Sequence, residues 1–211
     1  MKRIFPLLLF IALAGAGTRA DTDGEAALKE RVRRLTAEVA AASFPELTGS
    51  EITIQWFDAE ADFFQTRFTF TGFLGRKKLR YLLRVNRRLL SQPPPEIALR
   101  AVIAHELGHI LYFQARRRLQ LLGLVRLLAP AFTARFERRT DLQAIARHYG
   151  EGLKVYREWL YRRIPPGKLA EKQRNYFSPA EIDALLQRLR AEPEKLRGWL
   201  QRPPRSLAEI Y

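Results

Sequence analysis

The 211-residue sequence predicts an α+β fold, mainly helical, with a small mixed or antiparallel sheet of about three strands and one central helix. Three observations lead there. Apolar residues recur at helical spacing on both sides of a short middle region. That middle region alternates in polarity or is rich in aromatics and threonine, and proline and glycine bound it. The stretch from Ile97 to about Ala115 is apolar widely enough to need neighbours on several sides, as a central helix would.

The elements follow in chain order. Residues 25–42 form a first helix, with Ala26, Leu28, Val32, Leu35, Val39 and Ala42 at helical spacing. Pro45 and Gly49 bound a turn. Residues 51–57 read as a half-buried strand with Ile52, Ile54 and Trp56 on one side, residues 63–70 as a second, and residues 78–85 as a third after Gly72 and Gly75. Pro93-Pro94-Pro95 then sets up the central helix. Leu119 to Leu128 is a strongly apolar helix candidate, too short to span a bilayer, that stops near Pro130. Residues 131–149 are a further helix, broken by Gly150-Glu151-Gly152, and residues 153–163 another, ended by Pro165-Pro166-Gly167. Ser178-Pro179-Ala180-Glu181 has the cap, the proline and the glutamate of a helix start. The segment after Pro193, with Pro203 and Pro204, reads as a loose tail with one turn around Trp199.

Composition narrows the function classes. No cysteine is present, which excludes a disulfide scaffold, a thiolate metal site and a cysteine nucleophile. Lys2 and Arg3, the apolar run from Ile4 to Ala14, and Thr18-Arg19-Ala20 before Asp21 make residues 1–20 a signal peptide by pattern, with an uncleaved N-terminal anchor as the rival reading. Export, to a periplasm or outside the cell, is the expectation. The formal charge is +15, and loss of Lys2, Arg3 and Arg19 with the signal leaves +12. Basic clusters at Arg116-Arg117-Arg118, Arg138-Arg139 and Arg162-Arg163 suit a solvated surface or peripheral contact with an anionic membrane. Nucleic acid is not expected, since aromatics are not interleaved with the cations as a stacking platform requires.

Chemistry concentrates on the central helix. His105-Glu106-Leu107-Gly108-His109 contains two of only three histidines in the chain. Four residues apart on a helix, they share a face, so both imidazoles can reach one ion with Glu106 beside them. A catalytic zinc takes three protein ligands and keeps one position open. His148 and downstream acidic residues are candidates for the third. Glu137 and Asp141, four apart, lie on one helical face: Glu137 can complete a His₂Glu set, and Asp141 can accept a hydrogen bond from a ligand histidine. In the competing reading, these two are surface carboxylates paired with Arg135, Arg138 and Arg139. Gly108 would allow another segment to approach the helix closely, or serve packing alone.

HExxH followed by ExxxD resembles the gluzincin metallopeptidases, and more closely the compact zincin-like catalytic domains related to the CAAX prenyl proteases and the heat-shock protease HtpX. The likeness covers about Arg80 to Ala146. It implies one Zn2+ per chain on His105, His109 and Glu137, Glu106 as general base, Asp141 behind a ligand histidine, and a polypeptide substrate. Two departures stand out: Thr140 occupies a position usually held by alanine, and the membrane spans of the prenyl proteases are lacking, so their lipidated substrates do not carry over. The resemblance makes Tyr81 to Val85 a candidate edge strand for pairing with substrate. An oxyanion donor is expected among His148, Tyr149 and Tyr156. The implied organisation is residues 1–20 as signal, 21–167 as metallopeptidase domain, and 168–211 as a helical extension packed on or covering the cleft. The rival from another class is a non-catalytic or latent metal-binding envelope protein. Nothing in the sequence fixes an oligomeric state.

Overall fold

The computed structural model describes residues 22–69, 79–116 and 129–211, together with the backbone of Ile11–Ala12. Most of residues 1–20, expected to be a signal peptide, and the apolar run from Leu119 to Leu128 lie outside the described residues. The protein is mainly helical, with a mixed sheet of three main strands extended by a two-residue strand, and a central helix that carries the histidine motif. It divides into two compact units. One takes the described residues of Met1–Pro93 and His109–Leu128, the other Pro94–Gly108 and Ala129–Tyr211.

The first unit opens with α1, Asp23–Ser43. Thr22 and Glu25 form a reciprocal capping box, the Thr22 hydroxyl accepting from the Glu25 amide and the Glu25 carboxylate from the Thr22 amide. Val32, Leu35 and Val39 are the buried stripe of this helix. The sheet contains β2 (Glu51–Phe57), β3 (Phe64–Thr69) and β4 (Arg80–Asn86), and the two-residue strand β1 (Ile11–Ala12) lies parallel to β3. Strand β4 pairs in parallel with β2, Ile54 opposite Leu83, and antiparallel with β3, Phe64 opposite Val85. Strand order is therefore β1-β3-β4-β2. This corrects the expectation for Tyr81 to Val85. With neighbours on both sides, the strand has no backbone edge left to offer a peptide.

The central helix, α2, spans Glu96–Gln114. Every residue from Ala101 to Ile110 is buried, which accounts for its lack of a polar face. The second unit adds α3 (Pro130–Ile145), α4 (Gly150–Tyr161), α5 (Pro166–Asn175), α6 (Pro179–Ala191) and α7 (Lys195–Gln201). Its core joins Ala101 of α2 to Leu142 and Ile145 of α3, Leu153 of α4, and Phe177, Ile182 and Leu185 around α6. Residues 168–211 belong to this same compact unit. Their end is not a loose tail: Ile210 is fully buried in the core, and Pro203 and Pro204 are buried as well. Among the described residues, no helix is long and apolar enough to cross a membrane.

Candidate metal centre

The motif takes its geometry from α2. His105, Glu106 and His109 are 3%, 6% and 7% exposed, so three polar side chains sit deep in the protein on one helix. Groups of this kind stay buried only when partnered. Helix α3 supplies the partners of His105. Glu137 Oε2 lies 3.3 Å from His105 Nε2, and Asp141 Oδ1 lies 2.8 Å from His105 Nδ1. His105 is thus held between two carboxylates at its two nitrogens. Burial acts against its charge, but the hydrogen bonds to Asp141 and Glu137 and their negative charges outweigh that, and its pKa rises to about 9.

Donor atoms of His105, His109 and Glu137 all lie within 4.8 Å of one another, a group able to chelate a metal ion. A tetrahedral ion roughly 2.0–2.2 Å from each donor needs ligand atoms about 3.3–3.6 Å apart. The 3.3 Å separation of His105 Nε2 and Glu137 Oε2 meets that requirement. Nitrogen and oxygen donors without sulfur, and no fourth histidine or carboxylate in the group among the described residues, match an open site better than a closed structural one.

Asp141 is wholly buried and its carboxylate is fully engaged. Oδ1 accepts from His105 Nδ1 and from Arg157 Nη2, both at 2.8 Å, and Oδ2 accepts from the Phe177 amide at 3.1 Å. Burial pushes its carboxyl up; Arg157, the His105 hydrogen bond and the Phe177 amide together hold it below the ordinary value. The reading of Glu137 and Asp141 as surface carboxylates paired with the nearby arginines fails on these contacts. Arg138 turns instead to Glu181, at 2.8 Å.

Of the three expected oxyanion donors, His148 falls elsewhere. Helix α3 ends at Ile145, so His148 is not on its metal-facing side. His148 is exposed, with φ of 68°, and serves as the left-handed cap residue of a Schellman turn. The His148 amide bonds to Ile145 O and the Tyr149 amide to Ala144 O. Tyr149 packs on the core of the second unit, and Tyr156 is buried and stacked on Trp159. Tyr176 lies beside the centre, its ring centroid 5.8 Å from that of His105. Arg157 lies 4.4 Å and Lys172 5.2 Å from the Tyr176 ring. Sequence reasoning missed Tyr176 and Arg157 because neither stands at a motif spacing from the histidines. The only available signal was a tyrosine two residues before the Ser178 helix start.

The cluster resembles an HExxH-type zinc-binding motif with Glu137 and Asp141 close by, and it gives the protein the means to bind a metal and to do chemistry on it. No family model, no curated protein and no solved structure matches the chain.

Proposed function

We propose that the protein is a zinc-dependent metallopeptidase that hydrolyses peptide bonds in exported or envelope polypeptides, with one zinc ion on His105, His109 and Glu137. The observation that carries this reading is the buried two-histidine, one-glutamate group with Glu106 on the same helix turn. A structural site has no use for a second buried carboxylate there; hydrolysis does. When bound, zinc would supply a Lewis acid for the scissile carbonyl and lower the pKa of a water molecule. Glu106 takes a proton from the attacking water and delivers it to the leaving amine. Tyr176 is the donor we assign to the oxyanion, in place of His148, Tyr149 and Tyr156. We infer export from the basic and apolar pattern of residues 1–20, which predicts a mature N-terminus at Asp21.

Zinc content of the purified protein, beside Glu137→Ala, is the first test. Near one zinc per chain in the parent and sharp loss in the variant are expected. Glu106→Gln should keep the metal and abolish cleavage of a peptide library, and Tyr176→Phe should lower kcat with zinc content unchanged. A zinc-loaded parent that cleaves no peptide would move the assignment to a metal-binding envelope protein; a parent that takes up no zinc would end both.

A further inference from the structure

We propose that Arg157 is a positioning residue of the metal centre, acting through Asp141 to fix the imidazole of His105. The proposal rests on the reading that His105, His109 and Glu137 hold a metal.

Arg157 comes from α4, an element with no part in the HExxH or ExxxD pattern, and is 3% exposed. Its Nη2 meets the same Asp141 oxygen, Oδ1, that faces His105 Nδ1, and both separations are 2.8 Å. Two donors on one carboxylate oxygen occupy its two lone-pair directions. The Phe177 amide holds the other oxygen. The carboxylate plane of Asp141 is therefore fixed from three directions, and the lone pair it aims at Nδ1 cannot swing away. With Nδ1 engaged, Nε2 is the nitrogen left facing Glu137. Outer partners of this kind set ligand orientation as firmly as the ligands themselves do.

The surroundings make Arg157 a rigid support. Its guanidinium lies 4.4 Å from the Tyr176 ring and 5.6 Å from the Tyr156 ring. Planar stacking and a fork of donors are what arginine offers and lysine lacks. A charge pair this deep adds little net stability, because desolvation offsets attraction; its contribution is fixed geometry. The series His105, Asp141, Arg157, with Tyr176 against both ends, ties α4 and the residues before α6 to the ligand face of α2.

The test uses the full chain and a double-mutant cycle of Arg157→Met and Asp141→Asn, with Arg157→Lys as the conservative variant. Zinc affinity by chelator competition should fall about 10–100-fold in Arg157→Met. It should recover in part in Arg157→Lys, which keeps the charge and folds even if the methionine variant does not. In the Asp141→Asn background, Arg157→Met should cost no further affinity, because the arginine acts only through the carboxylate. The His105 Nδ1 proton, followed by NMR in metal-free protein, should be sharp and slow to exchange in the parent and broadened in the variants. Unchanged zinc affinity with only a lower Tm, or additive losses in the double variant, would overturn the proposal. A zinc-loaded parent without peptidase activity would overturn the peptidase reading and leave the role of Arg157 standing. Should the parent bind no zinc, an unaltered Nδ1 proton in the variants overturns the positioning role on its own.

Discussion

Gly108 and Thr140 fit each other across α2 and α3. A Cβ at position 108 would stand 3.0 Å from Thr140 Cγ2, closer than ordinary contact allows. The Thr140 hydroxyl is already committed to Phe136 O at 3.0 Å, so the methyl group is fixed in place. Glycine in the HExxH turn is what lets α3 bring Glu137 and Asp141 to the histidines with threonine, rather than alanine, at 140. Gly108→Ala gains about 1 kcal/mol of helix propensity. Against that, overpacking costs roughly 1–3 kcal/mol. A net loss near 1 kcal/mol by denaturant unfolding is therefore expected, together with weaker zinc binding. In the Thr140→Ala background the same change should become stabilising. A loss of equal size in both backgrounds would show that this contact does not set the helix spacing. The sequence made Gly108 a candidate for close approach, and the HExxH and ExxxD spacings disclosed the ligand group, because both are local to single helices. The partner of Gly108, the aim of Tyr176 and the reach of Arg157 depend on how separate helices cross, and no spacing in the chain encodes that.

At the scale of elements, periodicity located the strands and the helices around residues 25–42, 97–115, 131–149, 153–163 and 179–191, missed Pro166–Asn175, read Lys195–Gln201 as a single turn, and misjudged ends and neighbours. Gly150 and Gly152 read as a break, yet both lie in the first turn of α4, the reversal having been made by the Schellman turn at His148. Gly152 serves close packing: a Cβ there would fall 2.4 Å from Ile97 O. Pro166 ends nothing; it is the first residue of α5, where a missing amide proton costs no hydrogen bond. Strand order escaped the sequence for the same reason as the site contacts, since alternation shows which face is buried and not which strand lies beside which. The C-terminal elements were the largest surprise. Phe177, Ile182, Leu185 and Ile210 are fully buried, and buried Arg138 bonds to Glu181 and to Pro204 O. Each large apolar side chain contributes roughly 1.5–3 kcal/mol on burial. Four of them approach the whole net stability of a domain, about 5–15 kcal/mol. A chain ended at Gly167 should therefore lose its cooperative thermal transition and its resistance to limited proteolysis. A folded, zinc-binding fragment of residues 21–167 would instead restore the segment as a separable cover over the cleft.

For the whole molecule, the site joins metal loading, folding and pH. His105 has its pKa held up at about 9 by Asp141 and Glu137, against an ordinary value near 6.5. A raised histidine pKa means the folded protein holds a proton that the unfolded chain releases earlier. The stabilisation is thus fully present below pH 6.5 and is lost as pH rises through about 9. Metal-free protein should show a falling Tm across that window. Asp141 behaves oppositely: its lowered pKa gives stability that is present above the usual carboxylate range and lost only on strong acidification. Zinc competes with the His105 proton for Nε2, so binding below pH 9 must expel it. Apparent zinc affinity should then rise by up to about tenfold per pH unit between 6.5 and 9 through this residue alone. The zinc-loaded protein, with that proton gone at every pH in the window, should lack the decline in Tm. Thermal unfolding of metal-free and zinc-loaded protein from pH 6 to 9.5 measures both slopes. Parallel curves would show that His105 is not where metal and proton compete, and would remove it from the ligand set. A difference that widens with pH would tie the buried charge on His105 to the ion, because the pKa of this ligand is raised to about 9.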